Sequence, residues 1–355
     1  MKPDGLGDFI LSVHALKYLR DSRPEAHITL FVAPRVFELA RSIPYVDLVL
    51  PIYLFNYKGD DLVSNLFKIK SSLENLNIDR FDLAIILRYD FDYYNACLLS
   101  FALEIPIRIG YSVKSLKFQN FQNEIYDQFL THKLEDQAVE SEVIKNLKLV
   151  GCNEWPMDYS NINLGFKSSA RVLMDRLSEL TKFNACKGFV AIGISSLLEI
   201  KKINSERWVE YIKVIKEVTQ NEVLIFGGQD DIEIGNYLEE KTNSISLCGK
   251  LNLLDTIDIL SFANFFIGVD SFLKHAASLS GKCVIEFSCQ SKIGNPEMEY
   301  GGIRFSAYGV KSIVLKPDAP LEQCSIHRCQ ATNSHCINQI STDELVNAVR
   351  SIQNL

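Results

Sequence analysis

The sequence predicts an α/β protein of two domains, each a parallel sheet covered by helices. Three observations predict it. A chain of 355 residues exceeds what one hydrophobic core commonly serves. Short apolar runs alternate with amphipathic stretches along the chain, as they do when strands return through helices to a parallel sheet. Between 151 and 170 the alternation lapses into a connector holding Gly151, Asn153, Pro156 and several Ser and Asn, and then resumes. This sets one domain at 1–160 and a second at 161–340, with 341–355 a last helix that could cross back onto the first domain.

In the first domain residues 9–21 read as a helix, with Ile10, Val13, Leu16 and Leu19 at three- and four-residue steps, ended by Pro24. Ile28–Ala33 is a β-rich run, 36–43 a short helix and Leu48–Ile52 a strand. A helix follows at 61–76, then the buried strand Asp82–Leu87, a helix at 92–103 and a strand at Ile105–Ile109. Residues 132–150 read as one long amphipathic segment. The opening residues 2–8 look like the loop after a strand, yet no strand precedes them, and in a doubly wound domain that strand would be central. The N-terminal domain thus reads as lacking its first strand. A fragment or displaced start is the favoured account, because an empty central position would cost on the order of several kcal/mol of burial.

The second domain repeats the alternation more clearly. Its strands are Phe189–Ile194, Val223–Phe226, Ile245–Leu247, Phe265–Val269, Val284–Phe287 and Ile313–Leu315. Its helices are 167–182, 205–219, 231–241, 252–263, 271–280 and 341–353.

Composition excludes several classes. With 47% hydrophobic and 23% charged residues the chain is not disordered. Its net charge is −7, and neither half is basic: residues 1–160 carry 17 basic and 22 acidic side chains, the remainder 20 and 22. Backbone-driven nucleic-acid binding needs clustered Lys and Arg, so it is not expected. Nine scattered cysteines point to a reducing compartment. No apolar run reaches membrane-spanning length, and the start does not resemble a signal peptide. A cytoplasmic protein is expected, with any membrane contact made through a local surface patch.

Four stretches carry chemistry. Gly5-Leu6-Gly7-Asp8 precedes the first helix, where two glycines permit a tight turn and Asp8 stands at or near the N-cap. It reads either as a cap or as a carboxylate base at a cleft mouth. Ile267-Gly268-Val269-Asp270 runs from a buried strand into a helix starting near Ser271. The N–H groups of Ser271, Phe272 and Leu273 would form a phosphate seat, with Lys274 or His275 adding charge, unless Asp270 is merely a cap. Ser195, Lys201 and Lys202 follow the first strand of this domain, and either lysine could steady a diphosphate leaving group without a metal. Gly227-Gly228-Gln229-Asp230-Asp231 follows the next strand, where a carboxylate could accept from ribose hydroxyls. The tail places Cys324, Cys329 and Cys336 near His327 and His335, but lacks the tight Cys pair of most zinc sites. Asp90 and Asp92 have metal-binding spacing, yet read more simply as helix caps. Neither cofactor nor metal is called for.

These stretches, in this order, resemble the ADP-heptose:lipopolysaccharide heptosyltransferases, inverting enzymes of glycosyltransferase family 9. The likeness runs from Gly5-Leu6-Gly7-Asp8 through Phe81-Asp82-Leu83-Ala84, Arg108-Ile109-Gly110 and Lys201–Trp208 to Gly268-Val269-Asp270-Ser271 with His275-Ala276-Ala277, and on into the Cys-rich tail. It implies a GT-B architecture, two Rossmann-like domains facing a cleft, an acceptor domain first and a nucleotide-sugar domain second. It implies a nucleotide-diphosphate sugar as donor, ADP-linked and heptose-bearing in the family, and a saccharide or glycolipid acceptor at the inner membrane face. Asp8 would be the base and Lys201 the phosphate lysine, with Lys202 as fallback. Asp270 with Ser271–Leu273 and His275 would hold donor phosphate and sugar, beside Ser195, and Asp230 or Asp231 would face the nucleoside. Two departures stand out: Phe272 replaces the usual glycine, and Ile203-Asn204 replaces the usual Trp-Pro. A binding protein that keeps the cleft without turnover is the alternative reading.

Overall fold

In the computed structural model the apolar runs are parallel strands, and the amphipathic stretches are the helices that cover them. The structure describes residues 1–53, 62–73, 80–89, 92, 94–115, 124–152, 154, 162, 164–165, 170–181, 188–294, 302–320 and 333–353. By packing, the chain divides into two units, Met1–Pro156 with Ile162–Gly165, and Met157–Asn161 with Phe166–Leu355. Each is an α/β unit whose described strands pair in parallel, as the GT-B expectation requires.

The first unit runs α1 (Leu6–Ile10), α2 (Val13–Ser22), β1 (Thr29–Val32), α3 (Phe37–Ser42), β2 (Leu48–Pro51), α4 (Leu62–Leu73), β3 (Leu83–Ile85), α5 (Ala96–Ala102), β4 (Ile107–Tyr111), β5 (His132–Leu134) and α6 (Glu142–Leu149). The expected helix at 9–21 begins at Leu6 and breaks after Ile10. There Ser12 Oγ bonds back to Phe9 O at 2.7 Å, a local alternative to the helical ladder. The segment read as one amphipathic stretch at 132–150 is a short strand and a helix, the latter capped by Ser141.

The position expected for the first strand is not empty. Lys2 N donates to Phe31 O at 2.9 Å and forms a parallel bridge with Val32. On the other side the Met1 amine donates to Ile85 O at 2.6 Å, and Leu87 N donates to Met1 O at 3.1 Å. Met1 and Lys2 therefore lie between β1 and β3 and join the ribbon β1–β2 to the sheet β3–β4–β5.

The second unit runs α7 (Ala170–Thr181), β6 (Phe189–Gly193), α8 (Ser205–Thr219), β7 (Glu222–Phe226), α9 (Ile232–Thr242), β8 (Ile245–Ser246), α10 (Leu253–Leu260), β9 (Phe265–Val269), α11 (Phe272–Leu279), β10 (Val284–Phe287), β11 (Ser312–Leu315) and α12 (Thr342–Gln353). Among the described residues six strands lie in the order β11-β10-β9-β6-β7-β8. Trp208, Tyr211 and Phe287 centre the core, with Tyr211 stacked on Phe287 at 4.7 Å. Leu345, Val349 and Ile352 of α12 share that core, so the last helix belongs to the second unit.

Candidate active site

In the second sheet the chain moves outward from β6 through β7 and β8, then restarts at β9 on the other side of β6. Loops leaving β6 and β9 diverge at such a switch point, and ligands of open parallel sheets bind in the crevice so formed. Gly193 and Gly268 are register partners at these two strand ends. A β-carbon on Gly193 would lie 2.5 Å from Phe266 Cζ, and one on Gly268 would lie 2.7 Å from Gly193 O. Only glycine lets the two strand ends close over the Phe266 ring.

Beyond them the loop after β6 makes a 3-10 turn at Glu199–Lys201, which turns neighbouring side chains apart. Lys201 points inward, its Nζ 2.5 Å from Asp270 Oδ2. Lys202 sits 2.5 Å from Glu199 and is 41% exposed. The other oxygen of Asp270 accepts from Lys274 Nζ at 2.5 Å, and His275 Nε2 stands 3.9 Å from it. Lys274 is four residues beyond Asp270, one helical turn on, and also lies 3.0 Å from Glu286 of β10. Burial would raise the Asp270 carboxyl, but Lys274 and Lys201 outweigh it and hold it far below the carboxylate range. Burial would likewise lower Lys201, and Asp270 keeps it raised and charged. His275 is lowered to about 3 by burial and the Lys274 charge, so it is neutral.

Ser271 is the N-cap of α11, with extended backbone and no side-chain cap, and its buried Oγ has no hydrogen-bond partner among the described residues. The first N–H groups of α11, at Phe272 and Leu273, have no acceptor within the helix. Ser195 Oγ donates to Asp231, whose carboxylate also accepts from Gly228 N at 2.7 Å. Asp231 thereby ties the two loops after β6 and β7 together, while Asp230 is exposed.

The first unit repeats the logic. From Lys2 the chain moves to β1 and β2 on one side and restarts at β3 on the other, so the loop Pro3–Gly5 leaves a second switch point. Arg88, just past β3, pairs with Asp4 of that loop; Lys2 Nζ is 3.2 Å from Asp4 and donates to Leu87 O at 2.7 Å. Burial would raise Asp4, but Arg88 and Lys2 hold it below its ordinary value. Gly5, not Asp8, is the N-cap of α1; Asp8 lies in its first turn. Its carboxyl is raised by burial and by the negative charge of Asp4, against the opposing pull of Lys2. A raised carboxyl is a stronger base once ionised.

Comparison with known proteins decides the family. The family model for glycosyltransferase family 9 (heptosyltransferase) matches residues 69–286. The chain belongs to glycosyltransferase family 9. The matched span contains Lys201, Asp270, His275 and Glu286 of this family 9 chain, and Asp8 lies outside it. Among solved structures, a family 9 glycosyltransferase from Veillonella parvula aligns with a TM-score of 0.76 at 18% identity, over 99% of this chain and 95% of that one. E. coli heptosyltransferase WaaC with ADP aligns at 0.66 and 13%, over 99% and 100%. E. coli ADP-heptose lps heptosyltransferase II aligns at 0.64 and 14%, over 99% and 97%. At these identities the likeness is one of fold. No curated protein sequence matches the chain.

Sequence reasoning missed Glu286, Asp4 and Arg88. Glu286 stands inside the apolar run Val284–Phe287, and a charge in a strand buried on both faces is itself the signal of a buried partner. Cys324, His327, Cys329 and Asp90 lie outside the described residues. Cys336 is buried, and its N–H donates to His335 Nδ1. Among the described residues no three His, Cys, Asp or Glu are grouped to hold a metal.

Proposed function

We propose that this family 9 glycosyltransferase moves a sugar from a nucleoside diphosphate to a saccharide hydroxyl by a single inverting displacement, with ADP-heptose the first donor to test and a lipopolysaccharide-type glycan the first acceptor. One observation carries the reading. Lys201 and Asp270, far apart in sequence, meet at 2.5 Å over the switch point of the second sheet, beside the uncapped start of α11. Asp8 takes the proton of the acceptor hydroxyl, whose oxygen forms a bond to the anomeric carbon. The bond from that carbon to the diphosphate oxygen breaks, and the charge growing on the leaving group is met by Lys201 and the N–H groups of Phe272 and Leu273. The names of the E. coli relatives, a heptosyltransferase with ADP and an ADP-heptose lps heptosyltransferase, support the choice of donor.

We place this work in the cytoplasm, at the inner membrane face. Val63 and Phe67, one turn apart on α4, are 60% and 70% exposed beside Lys68 and Lys70, in a helix without acidic residues. Such a surface suits anionic lipid. No described helix is long and apolar enough to cross a membrane.

A transfer screen over nucleotide sugars and saccharide acceptors tests the reaction, with anomeric configuration read by NMR. Donor binding without turnover against any acceptor would instead favour a binding protein. Flotation with vesicles that contain or lack phosphatidylglycerol tests the membrane contact.

A further inference from the structure

The floor of the donor site holds more charge than the phosphate seat requires. Lys201 and Asp270 form its rim, with side chains 12% and 16% exposed, while Lys274 and Glu286 lie beneath at 1% and 5%. Lys274 Nζ is fixed from three directions, by Asp270 Oδ1, by Glu286 Oε2 and by Phe305 O at 2.7 Å. Two ammonium groups and two carboxylates cancel when all are ionised, and a neutral cluster attracts a diphosphate weakly. Lys201 is moreover engaged with Asp270. Turning toward a phosphate would strip Asp270 of a counter-charge in a buried setting, which is costly unless another cation remains. Lys274, seated on the opposite carboxylate oxygen, is that cation. Glu286 acts against it, because its charge draws on the same ammonium.

We propose that Lys274 and Glu286 are a positioning pair that sets how freely Lys201 turns from Asp270 to the diphosphate of the donor, Lys274 releasing it and ionised Glu286 restraining it. This rests on the donor-site reading above. Among the described residues the charged groups facing Glu286 are Lys274 on α11, Asp270 after β9 and Lys201 after β6; the strand positions opposite it are Gly268 and Val314, which carry no charge. Burial raises the Glu286 carboxyl against the pull of Lys274, and the Asp270 charge raises it further. Once Glu286 is protonated the cluster has one net positive charge, so affinity for a diphosphate falls as pH rises through its titration.

The test is ADP binding by titration calorimetry to the full chain, native and variant at the same pH so that the ionisation of ADP itself cancels. Glu286→Gln should bind ADP about tenfold more tightly than native at alkaline pH, with the native loss of affinity on raising pH flattened, as removal of one buried charge implies. A pair that merely held the fold together would weaken binding in the same variant. The double variant Lys274→Met with Glu286→Leu replaces the ion pair by apolar groups, an exchange that folds commonly tolerate. It leaves Lys201 as the direct ion-pair partner of Asp270 and should weaken ADP binding about tenfold or more. Affinities of both variants within twofold of native across pH would overturn the inference while leaving the donor reading intact. A native chain that binds no nucleoside diphosphate would overturn both.

Discussion

Replacing Lys201 and Lys202 separately by Met distinguishes two neighbouring lysines that composition treats alike. Lys201 lies 2.5 Å from Asp270 in a largely buried site. A donor placed to meet charge that grows in a transition state contributes about 10²–10³ in kcat, or about 3–4 kcal/mol. Lys201→Met should therefore lower single-turnover transfer by about that factor. It should keep its fold, because Asp270 retains Lys274 and the loss falls short of the roughly 3–5 kcal/mol of a fully uncompensated buried charge. Lys202 pairs with Glu199 three residues away at the surface, an interaction worth about 0.3–0.5 kcal/mol at most. Lys202→Met should leave turnover within about twofold of native. Rapid-quench measurement of product, with melting curves as the control for folding, reads both. Equal losses, or the larger loss at Lys202, would refute the assignment of the leaving-group cation to the inward-facing lysine.

Asp8→Asn should cut turnover by about 10²–10⁴ while ADP affinity stays within twofold, since a base acts only on the acceptor proton; a matching loss of ADP affinity would argue for a binding role instead. Because the Asp8 carboxyl is raised, activity should fall with acidification at a pH above the ordinary Asp range near 3.9, as read from kcat/KM profiles. Arg88→Met leaves buried Asp4 with Lys2 as its remaining ion-pair partner among the described residues and should cost about 1–3 kcal/mol in denaturant unfolding, short of the cost of a charge left without any counter-ion. Asp4 is held below its unfolded value, so that difference should be full at neutral pH and shrink as pH falls through the lowered Asp4 titration; a pH-independent difference would contradict the pairing. Gly268→Ala forces a β-carbon to 2.7 Å from Gly193 O and should lower both Tm and ADP affinity; an unchanged variant would mean the strand ends need no such closeness.

The second unit was the more legible half, and for a physical reason. Its central strands are buried on both faces, so Phe265–Val269 reads as an apolar run and Val284–Phe287 as one interrupted only by Glu286, and the bounds of both match the structure. In the first unit β5 is three residues, His-Lys-Leu, with no apolar run to mark it, and it disappeared into the amphipathic segment beside it. The break after Ile10 depends on one serine hydroxyl competing for a carbonyl, which periodicity does not register. The sites show the same division. Strand ends, glycines and acidic residues could be placed at loops from sequence, but which loops meet depends on strand order. The order β9-β6-β7 brings Lys201 to Asp270, and a 3-10 turn, invisible to composition, selects Lys201 over Lys202 for that contact. Glu286 was hidden because its counter-ion comes from another element.

The junction at Met1 and Lys2 has a dynamic consequence. Elsewhere in the first unit strands are laced by registers of three or four residues, whereas among the described residues β1–β2 and β3–β4–β5 are joined through Met1 and Lys2. Cooperative opening follows the sparsest pairing. Backbone amides of Lys2 and Leu87 should then exchange with deuterium sooner than those in the middle of β4, and α1, whose first turn carries Asp8, inherits the breathing of that junction.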